Sequence, residues 1–252
     1  MTALEALSFQ LYSARSLEPL EKQFDLLAGL GYRLVEPYGG LLGDPDRLKG
    51  LLDKHGMRAP TIHVGFDRLR ADAAATARLC RDLGVDTIFA PAPLPGERER
   101  DAEGWRALGR ELNTIGSAVR GEGLRFGWHN HHWEYGRAPD GHLFLDHLFA
   151  EAGDLLWEAD LAWIARGGGD PVAELRRHKG RVVAAHVKDI APAGTATDED
   201  GWADPGHGIL DWTALLAAMR EVGITLFVVE HDRPSDVARF ARRARDTVAS
   251  WN

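Results

Sequence analysis

The sequence holds a single cysteine, Cys80, in 252 residues. No internal disulfide can form, and a thiolate-rich structural zinc site has no ligands to draw on. Cys80 follows Ala77 and precedes Leu83 at helical spacing, which places it in a core rather than at a nucleophile's position. Long apolar runs are missing as well, since none approaches the ~18 residues that a membrane-crossing helix needs. The opening stretch MTALEALSFQLYS lacks the basic region and apolar run of a secretory leader, so a cytoplasmic location is expected. Positive charge is also short: 30 Lys and Arg face 38 Asp and Glu, a formal net charge of −8. Binding to DNA or RNA through phosphates normally needs a basic excess or stripe, so nucleic acid is not an expected partner. The densest basic group, Arg239, Arg242, Arg243 and Arg245, reads as the solvated face of a terminal helix. Finally, the first strand ends FQLYSARS, without the glycine-rich phosphate loop of a doubly wound nucleotide-binding sheet.

What the sequence does have is regular alternation. Short apolar runs at Leu7–Tyr12, Arg33–Pro37, Arg58–His63, Asp86–Ala90, Leu124–Asn130, Leu155–Asp160, Val182–Lys188 and Thr225–Glu230 are predicted strands. Segments of three-to-four-residue periodicity separate them. Leu17, Leu20, Phe24, Leu27 and Leu30 form one helical face, stopped by Gly31; Trp212, Leu215, Leu216, Met219 and Val222 form another, stopped by Gly223. Eight strand-helix units in this length predict a single (β/α)8 TIM barrel over residues 1–252. Runs such as RVVAAHV and ITLFVV suit strands buried on both faces. The irregular stretch from about Ile190 to Leu210 is predicted to cover an active site.

In such a barrel the chemistry sits at the C-terminal strand ends. Those ends carry Gln10 and Tyr12, Glu36, His63, then His129, Asn130, His131 and Glu134, then Glu158 and Asp160, then His186, Lys188 and Asp189, then Glu230, His231 and Asp232. Each alone has an ordinary reading as a helix cap, an ion-pair partner or a packed imidazole. Together, carboxylates and imidazoles from strands five to eight would meet at one mouth, at a cost of several kcal/mol each without a cation. A bound divalent metal removes that cost, and the mixed oxygen and nitrogen donors suit Mn2+, Mg2+, Zn2+ or Co2+ without choosing between them. It would polarise a carbonyl and ease removal of a proton beside it.

The motifs FQLYSAR, GYRLVEPYG, HNHHWEY, WEADLAWIARGGGDP, GRVVAAHVKDI, PGHGILDW and LFVVEHDRP, in this order over nearly the whole chain, resemble the sugar phosphate isomerase/epimerase family of the xylose isomerase-like barrels. The resemblance implies a metal held by Asp160, His186, Glu230 and a group from strand five. Where many relatives begin a Glu-Asn-His motif, this chain has His129, so Glu134 is the expected fourth ligand and His129 the alternative. Glu134, Glu230, His129 and His131 are the expected proton-transfer groups; Gln10, Glu36, His63, Trp163 and Lys188 are expected to contact substrate, and His207 to be a lid contact. The implied activity is isomerisation or epimerisation of a sugar or keto-sugar through an enediolate-type intermediate. The alternative is a lyase of the inosose dehydratase or 3-keto-glycoside-cleaving type. The substrate would be a small sugar or polyol, and a homodimer is consistent with the family. Abasic-site endonucleases share the barrel, but the acidic balance argues against that reading.

Overall fold

The computed structural model describes residues 3–98 and 100–251. Residues 1 and 2, at the head of the stretch read for a leader, lie outside them. Ten strands are present among the described residues: β1 (Leu7–Gln10), β2 (Leu34–Glu36), β3 (Thr61–His63), β4 (Thr87–Ala90), β5 (Arg125–His129), β6 (Leu156–Asp160), β7 (Val182–Val187), β8 (Asp189–Ile190), β9 (Trp202–Ala203) and β10 (Phe227–Val229). Eight of them form one parallel sheet in the order β2-β1-β10-β7-β6-β5-β4-β3. The ends meet through Leu34–Arg58 and Tyr38–His63 bridges, where Val35 N donates to Arg58 O and His63 N to Pro37 O, each at 3.0 Å. The result is a nearly closed (β/α)8 TIM barrel.

Each expected strand encloses an observed one, trimmed at its ends. β3 starts three residues late because Pro60 has no N–H to give the ladder; its carbonyl instead accepts from Asp86 and Thr87. The helices follow the periodic faces. Leu20–Gly29 buries Phe24 and Leu27. Trp212–Val222 is capped by the Asp211 carboxylate and stopped by Gly223 at φ 86°, a left-handed turn that favours glycine. Cys80 is buried on the helix Phe66–Asp82.

Along each strand the side chains alternate between helices and barrel interior. Phe9 packs outward against Tyr32 and Phe240, while its neighbour Gln10 reaches Glu36 inside. Gly127 is needed for the same geometry: a Cβ there would lie 2.5 Å from the Phe89 ring and 2.8 Å from the Leu156 carbonyl. The absent side chain lets a phenyl ring fill the interior below the mouth.

The stretch after β7 is more ordered than the sequence suggests. β8 and β9 pair antiparallel within it. Asp189, fully buried, accepts from the backbone N–H groups of Ile190, Gly206, Gly208 and Leu210 and from Trp212 Nε1. The terminal helix, Val237–Ala249, corrects one expectation. Its arginines are not simply a solvated face: Arg239 pairs with Glu199 and Asp204, and Arg243 with Asp204, tying the loop down. His207 is exposed on the outer side of the loop's last turn.

Candidate active site

The polar strand ends form two connected layers around His186. Its Nδ1 lies 3.0 Å from Glu230 Oε2 and 4.0 Å from Asp160 Oδ2. Its Nε2 lies 3.0 Å from Glu36 Oε1 and 3.2 Å from Glu158 Oε2. The ring is fully buried and stacks on His63, 5.1 Å away and nearly parallel.

The deeper layer holds Gln10, Glu36, His63 and Glu158. Gln10 Nε2 donates to Glu36 Oε1 at 2.7 Å. His63 Nε2 stands 2.6 Å from Glu158 Oε2 and 3.1 Å from Glu36 Oε1. Burial, with the Glu158 charge added, raises the Glu36 pKa. Burial works against ionised Glu158 too, but the His186 and His63 rings outweigh it and hold that carboxyl well below its usual range. Burial opposes the His186 and His63 imidazolium forms, and the carboxylates again win, so both values are raised. Gln10 and Glu36 have no exposed surface and lie beneath the mouth; His63 reaches it.

The upper layer comes from β5, β6, β7 and β10. One donor atom each from His129, Asp160, His186 and Glu230 falls within 4.8 Å of the others, and all four residues are buried. A second set, His63, His129, Glu158 and His186, meets the same limit. Asp160 serves two ends: Oδ1 accepts from Trp163 N at 2.8 Å and caps the helix Leu161–Arg166, while Oδ2 is buried without a hydrogen-bond partner. Asn130 braces that strand, its Oδ1 accepting from Asp160 N and Trp157 Nε1, both at 3.0 Å. Burial pushes the Asp160 pKa up to about 6, while Lys188 and His186 pull it back. Burial and the neighbouring His186 push His129 down to about 3, leaving a neutral imidazole able to bind a cation.

Glu134 is not part of this convergence. The short 3-10 turn Trp133–Tyr135 folds its carboxylate back, where Oε1 accepts from Trp128 Nε1 at 3.0 Å and Oε2 from His131 N at 3.1 Å. Burial raises its pKa to about 7 against those hydrogen bonds. The position expected for it among the donors is filled by His129. Spacing in the sequence does not reveal this, because it depends on how the chain turns after β5. Glu158 was legible as one of two carboxylates in Glu-x-Asp; its place in the second donor set was not.

A cavity of about 550 Å3 opens above the two layers, lined by His63, His129, His131, Glu230 and Asp232 together with Tyr12, Tyr38 and Arg68. His131 packs face-on against Trp133 at 4.6 Å, and its Nδ1 has no hydrogen-bond partner. Burial, with Lys188 nearby, holds its pKa well below the usual imidazole value. Trp163 backs His131 at 5.2 Å and meets Trp202 of the loop at 4.6 Å. Lys188, fully buried, stands behind Asp160 and Glu230.

The donor chemistry fits a divalent ion. Two imidazoles and two carboxylates suit Zn2+, Mn2+ or Co2+, and Asp160 Oδ2, buried without a hydrogen bond, is the kind of atom an ion satisfies. In such a site His186 would bind through Nδ1, while Glu36 and Glu158 hold its other nitrogen, a pairing that fixes tautomer and ring orientation.

Known proteins share this architecture. Residues 24–250 match the family described as xylose isomerase-like TIM barrel. The rhizopine catabolism protein MocC of Rhizobium meliloti is 25% identical over 238 residues, 81% of this chain and 72% of that protein. A sugar phosphate isomerase/epimerase from Parabacteroides distasonis superposes with a TM-score of 0.79 at 18% identity, covering 96% of both chains. The IOLI protein, solved with a zinc atom, gives 0.77 at 19% identity over 97% of this chain and 98% of its own. With the match running through all but the first strand and the same barrel closed by eight parallel strands, this chain belongs to the xylose isomerase-like TIM-barrel family.

Proposed function

We propose that this protein is a divalent-metal-dependent isomerase or epimerase of a sugar or keto-sugar, with His129, Asp160, His186 and Glu230 holding the metal. One observation carries the reading: four buried donors from four neighbouring barrel strands converge at the floor of a cavity large enough for a sugar. The ion would act as a Lewis acid, polarising the substrate carbonyl and acidifying the adjacent C–H. Of the expected donors, Glu134 takes a different part, setting the fifth-strand turn and with it the direction of His131.

The chain's own groups divide the proton work. His131 is neutral and lines the cavity, so it takes the proton from the carbon beside the carbonyl. His63, charged through Glu36 and Glu158, faces the same cavity and donates to the carbonyl oxygen. Two imidazoles with opposite protonation on one cavity make an acid–base pair. Return of the proton to the former carbonyl carbon, while the neighbouring hydroxyl gives its proton to His63, is isomerisation; protonation of the original carbon by a group on the opposite face, while the oxygen returns its proton to His63, is epimerisation. The Tyr12 and Tyr38 rings, edge to face at 5.3 Å, offer apolar surface for the sugar's C–H faces.

The test is to load the purified protein with Mn2+ or Zn2+ and incubate ketohexoses in D2O. Deuterium at the carbon beside the carbonyl, with a rearranged sugar and loss of both on chelation, is the expected result. Release of the aglycone from a 3-keto-glucoside, or of water, would instead establish a lyase. Equal turnover after complete chelation would rule out metal dependence.

A further inference from the structure

Lys188 is the one lysine in the barrel interior among the described residues, and its surroundings are built for a cation. Its ammonium lies 3.4 Å from Glu230 Oε2 and 3.7 Å from Asp160 Oδ2, and makes a close ion pair with Asp232. Two indole faces complete the enclosure, with the Trp202 and Trp163 ring centroids 4.1 and 4.8 Å from Nζ. A buried ammonium is tolerated only with such compensation. The arrangement is also unusual in what it shares. Two of the three carboxylates are donors of the four-residue set, while the residue itself is shut off from solvent.

We infer that Lys188 is an internal counter-cation for Asp160 and Glu230, holding both carboxylates converged before a metal arrives and thereafter competing with it for their charge. This rests on the metal reading above. The argument is electrostatic. Without a cation, Asp160, Glu230 and Asp232 would repel one another and the strand ends would spread. With Lys188 among them, the site is formed in the metal-free barrel, so loading need not be coupled to folding. A fixed positive charge this close to the ligand oxygens weakens the binding of any second cation. The ion is therefore held less tightly than the donor set alone allows, and remains exchangeable. Asp232 takes part of the ammonium's charge, so Lys188 does not neutralise Asp160 and Glu230 alone.

The test uses the full chain, stripped of metal, in four versions: wild type, Lys188→Met, Lys188→Gln and Lys188→Arg. Calorimetric titration with Mn2+ and with Zn2+ gives the affinities, and thermal unfolding of the metal-free proteins gives the stabilities. Removing the charge is expected to tighten metal binding by about 10- to 100-fold while lowering the metal-free melting temperature. Lys188→Arg, which keeps the charge, should stay near wild type in affinity. Unchanged or weaker binding by both neutral variants overturns the inference and leaves the metal reading standing. Binding by the neutral variants alone supports the competition and removes the metal from the native enzyme. No binding by any version overturns both. If neither neutral variant folds, the side-chain nitrogen resonance of Lys188 in the wild type decides: a shift on adding Zn2+ supports the shared carboxylates, and an unmoved signal refutes them.

Discussion

Asp160 divides its two oxygens between structure and chemistry, and this separates two mutations that look alike. Asp160→Asn can keep the helix cap to Trp163 N through its Oδ1 but loses the anionic Oδ2, so folding should survive and metal affinity should not. Calorimetry should show a loss exceeding the 10- to 100-fold typical of outer-shell changes. Asn130→Ala, which removes the brace on Asp160 N and Trp157 Nε1, should fall within that smaller range, with some loss of stability. Glu134 gives a different signature. Its folded-state pKa of about 7 lies above the ordinary carboxyl value of 4.5, so its contribution is fully present below pH 4.5 and is lost as pH rises through 7. Glu134→Gln removes that titration. Unfolding free energies measured from pH 4 to 8 should show the wild type losing up to about 3 kcal/mol relative to the variant across this window. A constant difference would mean that the Glu134 carboxyl titrates in the folded chain as it does in the unfolded one.

At the scale of elements, the loop after β7 depends on Asp189. Five donors converge on this one buried carboxylate, and a Cβ on Gly208 would lie 2.2 Å from its Oδ1 and 2.3 Å from the Ile190 carbonyl. Asp189→Asn turns an amide NH2 toward N–H groups and should cost about 2–3 kcal/mol; Gly208→Ala should loosen the same turn by displacing it. Both should speed proteolysis within residues 191–211 while the barrel strands stay protected, which limited digestion with mass spectrometry would show. The strands themselves were legible because period, length and strand-end polarity all agree from Leu7 to Glu230. The β8–β9 hairpin was not, since two-residue strands leave no periodic signal. The anchoring of the loop by Arg239 and Arg243 joins positions about 40 residues apart, a relation that composition reads only as a basic helix face. Glu134 was misplaced for a related reason. The order His-Asn-His-His-Trp-Glu gives the residues but not the 3-10 turn that points the last of them back at Trp128. His129, Asp160, His186 and Glu230, by contrast, come together because each ends a strand, and the barrel brings strand ends to one level.

For the whole molecule, binding to the folded state alone must raise its stability. At a free ion concentration 100 times the dissociation constant the gain is about 2.7 kcal/mol, or roughly 5–11 °C in melting temperature for a chain of 252 residues. A calorimetric scan with and without Mn2+ or Zn2+ checks this, and no shift with either ion would count against the site. The position of His186 suggests where that gain appears. One edge of its ring faces Glu230 and Asp160; the other faces Glu36, at the end of β2, the strand that meets β3 through isolated bridges. Charge drawn to one edge of the imidazole is felt at the other, so an ion bound among the four donors should be felt at the barrel's least continuous seam. Amide hydrogen exchange makes this visible. The Val35, Arg58 and His63 N–H groups, which stitch the seam together, should exchange more slowly once an ion is bound.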